Sequence, residues 1–338
     1  MAKVTKSNGH RLDSIAHIQL GVDNLERPIP EDLGFNLDAA TDAVISLSAE
    51  IPVDSMTAQT LGTERAGNGV IIDEHGLVLT IGYLISDATS ITLKTAHGEE
   101  VPGETIAYDY ETGFGLIRAF APLGVTPIKI GESANIKPGD PVIVVGHADG
   151  GGAIAAQVVA KREFAGYWEY MLDEAIFTIP PHPNWGGTAL IDQNGHLVGI
   201  GSLFVQETRV PDEHEPGNMF VPIDLLHPIY RDLVTLGHAN RKTRPWLGMF
   251  TTASAGHLIV AGLYSNGPAE KAGLEELDVI LRVDNHPVKD LADMYRKVWG
   301  AGEAGTRISM TVQRNGKIID LAIEATDRYK LMRVSRPH

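Results

Sequence analysis

Apolar stretches in this chain are short, and turns centred on Gly or Asp interrupt them every few residues. Gly69–Asp73 reads as a strand, Glu74–Gly76 as a turn and Leu77–Thr80 as a second strand. Ile91–Lys94, a run from Val101, and Gly115–Arg118 repeat the pattern, with a turn at His97–Gly98. Strands at spacings of roughly 8–12 residues predict a sandwich or barrel and disfavour a helical bundle. The 36 Gly and 19 Pro fit that architecture. A second strand-rich set begins near Pro127: Pro141–Gly146, Ala153–Val159, Glu174–Ile179, Ala189–Asp192, Leu197–Gly201 and Gly217–Val221. Two successive barrels are therefore expected, so the fold class is mainly β. Leu37–Ala49 reads as a short helix or as the lead into the first strand. Asp224–Leu236 predicts a helix, because Leu225, Leu226, Ile229, Leu233 and Leu236 recur at helical spacing.

At 338 residues the chain has room for two or three domains and needs no covalent staple, since a chain of this size buries roughly 75% of its unfolded surface. It has no Cys, which excludes thiol catalysis and Cys-ligated zinc. Its net charge of −15, without any basic block, argues against nucleic acid and acidic membrane surfaces as partners. Lys3, Lys6 and Arg11 are not followed by a run of roughly 7–15 apolar residues, as a secretory signal would require. With Met1 at its head and no apolar run long enough to span a bilayer, the chain is expected to be cytoplasmic, with no membrane insertion.

The most informative stretch is His182–Ile200. It reads as a tight Gly-containing turn, an apolar strand, a hairpin turn and a second apolar strand. It resembles the nucleophile turn of trypsin-like serine proteases of the HtrA/DegP family, which place Gly-Asn-Ser-Gly-Gly-Pro-Leu there. Matching the final Leu to Leu190 sets Asn184-Trp-Gly-Gly-Thr-Ala-Leu190 against that phrase, and the family's Ser falls on Gly186. The family's His phrase, Leu-Thr-Asn-Asn-His-Val-Val, matches Leu79-Thr-Ile-Gly-Tyr-Leu-Ile85, which puts the His on Tyr83. The Asp phrase, Thr-Asp-Leu-Ala-Val-Leu, matches Thr112-Gly-Phe-Gly-Leu-Ile117, which puts the Asp on Gly113. Serine proteolysis needs a hydroxyl nucleophile, a His base and a carboxylate to orient it. The resemblance therefore implies a protease fold in which no catalytic residue is intact. Asn184 and Trp185 remain as a residual oxyanion loop, with Asn184 keeping an N–H and Trp185 beside the old nucleophile position.

Residues 245–326 form a separate unit in the order of a PDZ domain. Trp246-Leu-Gly-Met249 opens it, and a strand follows at Leu258–Tyr264. Next come Gly267–Leu274, Asp278–Val283, the turn Asp284–Asn285, a helix at Leu291–Trp299 and strands at Arg307–Arg314 and Lys317–Ile323. Leu277 stands where the PDZ family usually has Gly. By this resemblance Trp246, Leu247, Gly248 and Met249 form a carboxylate loop, and Leu291 and Tyr295 line the opposite wall of a peptide groove. The expected layout is an N-terminal arm over 1–36, a double barrel over 37–236, a linker over 237–244, the PDZ domain over 245–326 and a tail over 327–338. The expected function is a proteolytically inactive, HtrA-like scaffold, adaptor or chaperone-like protein whose partners are peptides or protein C-termini. The alternative is an HtrA-type serine endopeptidase, or another hydrolase, using non-standard residues. The resemblance also implies a homotrimer, and a periplasmic location as the alternative to the cytoplasm.

Other candidates carry weaker signals. Tyr83, Ser86, Asp87, Asp109, His182 and Thr188 make a conceivable replacement constellation, though such residues ordinarily satisfy local hydrogen bonds. His147 with Asp149, and His182 with His214 and His227, invite a metal, but none has short ligand spacing. Neither a metal nor a cofactor is expected. Gly150–Gly152 lacks the Lys-Ser/Thr of a phosphate loop and reads as a hairpin tip. Phe164, Tyr167, Trp168 and Tyr170 read either as an exposed contact loop or as packing over the second barrel.

Overall fold

The computed structural model describes residues 25–147, 152–209, 214–254 and 256–331. Most of the arm, Asp149, Gly150, Gly151 and the tail from residue 332 lie outside the described residues. Two compact units divide the chain, one running to Arg162 and again from Glu174 to Asn240, the other combining Glu163–Asp173 with the chain from Arg241.

The first unit holds two closed barrels. Barrel one contains β1 (Val44–Glu50), β2 (Glu64–Ile71), β3 (Leu77–Ile81), β4 (Ser90–Lys94), β5 (Glu100–Tyr108) and β6 (Phe114–Ala119). Barrel two contains β7 (Pro141–Val145), β8 (Ala153–Gly166), β9 (Tyr170–Ile179), β10 (Ala189–Ile191), β11 (Leu197–Val205) and β12 (Gly217–Pro222). The strand order is 1-2-3-6-5-4 in one and, read from β7, 7-8-9-12-11-10 in the other, so both barrels follow the same course. Alternation builds the second core: Val142 and Val144, then Ile154, Ala156 and Val158, point inward from successive strands. Leu37–Ala49 is both things its sequence suggests, a helix α1 (Leu37–Asp42) capped by the Asn36 side chain and then the start of β1.

The helix expected over Asp224–Leu236 is shorter. Ile223–Leu225 forms a 3-10 turn, and the α-helix, α2 here, spans only Tyr230–Leu236. Pro228 lies between them. It lacks an N–H and disfavours helical backbone at the residue before it, so the apolar spacing overran a real break.

The second unit is a sheet ordered β13-β14-β15-β17-β18 with β16 paired to β15. Its strands are β13 (Met249–Ser254), β14 (His257–Leu263), β15 (Val279–Val283), β16 (His286–Pro287), β17 (Arg307–Arg314) and β18 (Lys317–Glu324). The helix α3 (Leu291–Gly300) buries Ala292, Met294, Tyr295 and Val298 and is N-capped by Asp290, which accepts from Asp293 N at 2.8 Å. Residues 163–173, which the sequence places inside the second barrel, are the tip where β8 turns into β9. They pack with this unit, and Met171 and Ala165 join the core of Leu247, Met249, Val260 and Tyr295.

Candidate functional site

The first unit brings Tyr83, Gly113 and Gly186 together. β3 ends in a 3-10 turn, Gly82–Leu84, that carries Tyr83. Gly82 N donates to Gly113 O at 2.7 Å, so position 113 lies against that turn. A Cβ placed on Gly186 would sit 2.9 Å from the Tyr83 hydroxyl, closer than real Cβ contacts come. The hydroxyl is held there, donating to Ser202 O at 2.7 Å. Burial pushes the Tyr83 phenol far above its ordinary value, so it stays protonated and cannot serve as a base. Gly113 has φ 87°, a left-handed backbone that L side chains other than Asn and Asp rarely enter.

A buried guanidinium fixes the turn that carries Tyr83. Arg65 donates to Tyr83 O at 2.7 Å, Ser86 O at 3.0 Å, Ser86 Oγ at 2.9 Å and Thr57 Oγ1 at 2.7 Å. Thr57 Oγ1 in turn donates to Asp87 Oδ2 at 2.9 Å. Asp109 accepts from Thr112 N and Thr112 Oγ1 at 2.9 and 2.7 Å, closing its own loop. Thr188 Oγ1 donates to Trp185 O at 3.0 Å. Ser86, Asp87, Asp109 and Thr188 therefore serve local structure.

His182 is fully buried, and both its ring nitrogens face backbone. Nδ1 accepts from Asn184 N at 3.1 Å, which leaves the proton on Nε2, 3.1 Å from Gly152 O. Burial holds this imidazole below its ordinary pKa, so it stays neutral. The same bond corrects the reading of Asn184 as a spare oxyanion donor. Its N–H turns inward to His182, whereas an oxyanion hole needs donors aimed at the developing charge. Gly187 N donates to Gly201 O at 2.8 Å and Thr188 N to Trp185 O at 3.3 Å, so these amides are also engaged. Trp185, only 3% exposed, packs beside Phe204 with ring centroids 5.6 Å apart and belongs to the core.

Asn68 is a residue the sequence reading missed. Its Nδ2 donates to Asn184 O at 2.8 Å and Gly186 O at 2.9 Å, its N donates to Gly186 O, and its Oδ1 accepts from His147 N at 2.8 Å. One side chain on β2 thus staples the whole 184–186 turn. The available signal was an Asn within an otherwise strand-forming run, where Asn is depleted. His147 is buried with Nε2 3.4 Å from Thr95 O, while His214 and His227 are exposed. No group of His, Asp and Glu suited to a metal occurs among the described residues.

In the second unit, amides of the stretch expected to form a carboxylate loop converge. Leu247 N, Gly248 N and Met249 N all point at one carboxylate, that of Glu169. Gly248 makes the cradle possible with φ 77°. Trp246 is not part of it. Its N and O pair with Thr326, and its ring packs 5.2 Å from Tyr264. Tyr295, expected to line an open wall, is buried and donates to Gly166 O at 2.7 Å, while Leu291 is half-buried against the core.

Residues 67–200 match the model of the trypsin-like peptidase domain, and residues 245–325 match that of the PDZ domain. The chain is a trypsin-like domain followed by one PDZ domain, and its homologues are HtrA/DegP serine proteases. The serine protease Do-like HtrA of Lactobacillus helveticus is 25% identical over 294 residues, covering 78% of this chain and 69% of that one. The periplasmic serine endoprotease DegP of Escherichia coli K12 is 25% identical over 276 residues. This HtrA/DegP homologue spans only 56% of DegP's length. Among solved structures, the HtrA-type protease AlgW with a tripeptide superposes with a TM-score of 0.51 at 24% identity, covering 86% of this chain and 96% of AlgW. That likeness establishes the fold. The expected cytoplasmic location gains no support from relatives named periplasmic, and no helix among the described residues is long and apolar enough to cross a membrane.

Proposed function

We propose that this HtrA/DegP homologue is non-proteolytic and acts as a scaffold, adaptor or chaperone-like protein that captures peptides or protein C-termini through its PDZ domain. One observation carries the first half. The volume that a nucleophile's side chain at position 186 needs is held by the Tyr83 hydroxyl, anchored on Ser202 O. The inward turn of Asn184 N supports the same reading. The backbone cradle of Leu247, Gly248 and Met249 supports the second half, because it is built to take a carboxylate.

A second reading is favoured by the names of the relatives, which are serine proteases or endoproteases. On that reading the chain is a serine endopeptidase, or another hydrolase, that works through residues other than these. Casein turnover by the purified chain separates the two. The proposal expects no fragments beyond those of a heat-denatured control, together with binding on an array of peptides with free C-termini. Reproducible, heat-sensitive cleavage establishes the second reading. The family resemblance further supports a homotrimer, and the relatives' names support a periplasmic location. A monomer's mass by light scattering would count against the one, and recovery in the cytoplasmic fraction of its source cells against the other.

A further inference from the structure

Three backbone N–H groups of the PDZ unit converge on a carboxylate that belongs to the chain itself. Leu247 N donates to Glu169 Oε2 at 2.9 Å, and Gly248 N and Met249 N donate to Oε1 at 2.7 and 3.0 Å. Two residues before Glu169, the Tyr167 carbonyl accepts from Thr251 N at 2.8 Å. Thr251 lies on β13, which is the edge of its sheet. A domain of this kind takes a peptide end through backbone amides around its carboxylate and main-chain bonding to a sheet edge. Residues 167–169 make both kinds of contact.

The surroundings are fitted to the same segment. Glu169 N donates to Tyr295 Oη at 3.0 Å, and Tyr295 Oη donates to Gly166 O at 2.7 Å, so one phenol clamps the tip from both sides. Met171 is buried in the PDZ core, and the Tyr167 ring lies 6.0 Å from that of Phe250. Arg296 pairs with Glu163 and, at 3.2 Å, with Asp173 across the base of the tip. Glu169 itself is buried and has φ 59°, a conformation disfavoured for a residue with a side chain. Strain of this sort persists where surrounding contacts over-determine it. Burial pushes the Glu169 carboxyl above its ordinary range, while the three amides and the charge of Arg328 work against that by favouring its carboxylate.

We propose that Glu169 is a built-in ligand of the PDZ carboxylate loop, and that a peptide with a free C-terminus binds only by displacing the hairpin tip 163–173. The competing ligand is defined by chemistry: a terminal α-carboxylate, and an extended backbone offering a carbonyl two residues upstream. The external half of the proposal rests on the peptide-capture reading above, whereas the internal occupancy does not.

The test uses the full chain and its Glu169→Ala and Glu169→Gln variants. Hydrogen–deuterium exchange across Leu247–Met249, without peptide, reads the internal ligand. A fluorescent pool of decapeptides with randomised C-terminal residues, in free-carboxylate and amidated forms, reads the competition. The proposal expects these amides to exchange at least tenfold faster in Glu169→Ala. It expects the free-carboxylate pool to bind that variant at least tenfold more tightly than the original chain, with the amidated pool binding neither. Glu169→Gln, which keeps the side chain's shape, falls between and carries the comparison should Glu169→Ala fail to fold. Unchanged exchange, or equal peptide affinity for all three chains, overturns the proposal. Faster exchange with no peptide bound by any chain leaves Glu169 as internal ligand and removes the peptide-capture function instead.

Discussion

At position 186, a side chain and the Tyr83 hydroxyl compete for one volume. The hydroxyl is not a loose end that can swing away, because it is buried and donates to Ser202 O at 2.7 Å. Placing a serine there alone is therefore expected to cost stability without producing protease activity. Gly186→Ser should destabilise the chain by about 1–3 kcal/mol, the usual cost of overpacking a well-filled site. In a Tyr83→Ala background the same change should cost less, since the competing group is gone. Denaturant melts of the four chains in this cycle measure the coupling, and strictly additive losses would show that the two groups do not share the space. Short phrases in the sequence single out positions 83, 113 and 186, which the fold brings close together. What was hidden is how their neighbours are used: Asn184 N to His182 and Asn68 to the 184–186 turn are bonds between residues 2 and 116–118 apart. The first depends on the fold of a turn, and the second on how the two barrels come together.

At the scale of elements, the strands were readable because period-two alternation and Gly turns are local signals. Their pairing was not. The order 1-2-3-6-5-4, repeated in both barrels, is set by long-range closure that no short window contains. The helix before the linker was over-extended because apolar spacing took no account of Pro228. The aromatic group around Tyr167 was read as an exposed loop or barrel packing. Tyr167 is exposed, as one of those readings has it, but the tip that carries it packs with the PDZ unit, where residue 169 meets residue 247 across 78 positions of chain. Leu277, the departure from the PDZ pattern, has a local explanation. It sits at φ 71° before β15, with its side chain exposed, in the conformation that glycine supplies freely. Leu277→Gly is therefore expected to stabilise the chain by about 1 kcal/mol, from relief of left-handed strain. Chemical denaturation followed by a probe in the PDZ unit checks the sign, and destabilisation would mean that the Leu277 side chain earns contacts that outweigh its backbone cost.

Across the whole molecule, the trypsin-like unit uses several of its buried polar groups to hold its own backbone. His182 is neutral and bonded to backbone at both nitrogens, and Asp109 is closed on Thr112. In the PDZ unit, the amides of Leu247, Gly248 and Met249 hold the Glu169 carboxylate. Relatives of this chain at about one-quarter identity are named as serine proteases, so chemistry and ancestry point in different directions. A fluorophosphonate probe decides between them, because it captures any activated hydroxyl nucleophile wherever it lies. Incubation of the native chain with the probe, followed by peptide mass mapping, should give no modification beyond that of the heat-denatured chain. A stoichiometric, heat-sensitive adduct on a single Ser or Thr would contradict the non-proteolytic reading and identify the nucleophile.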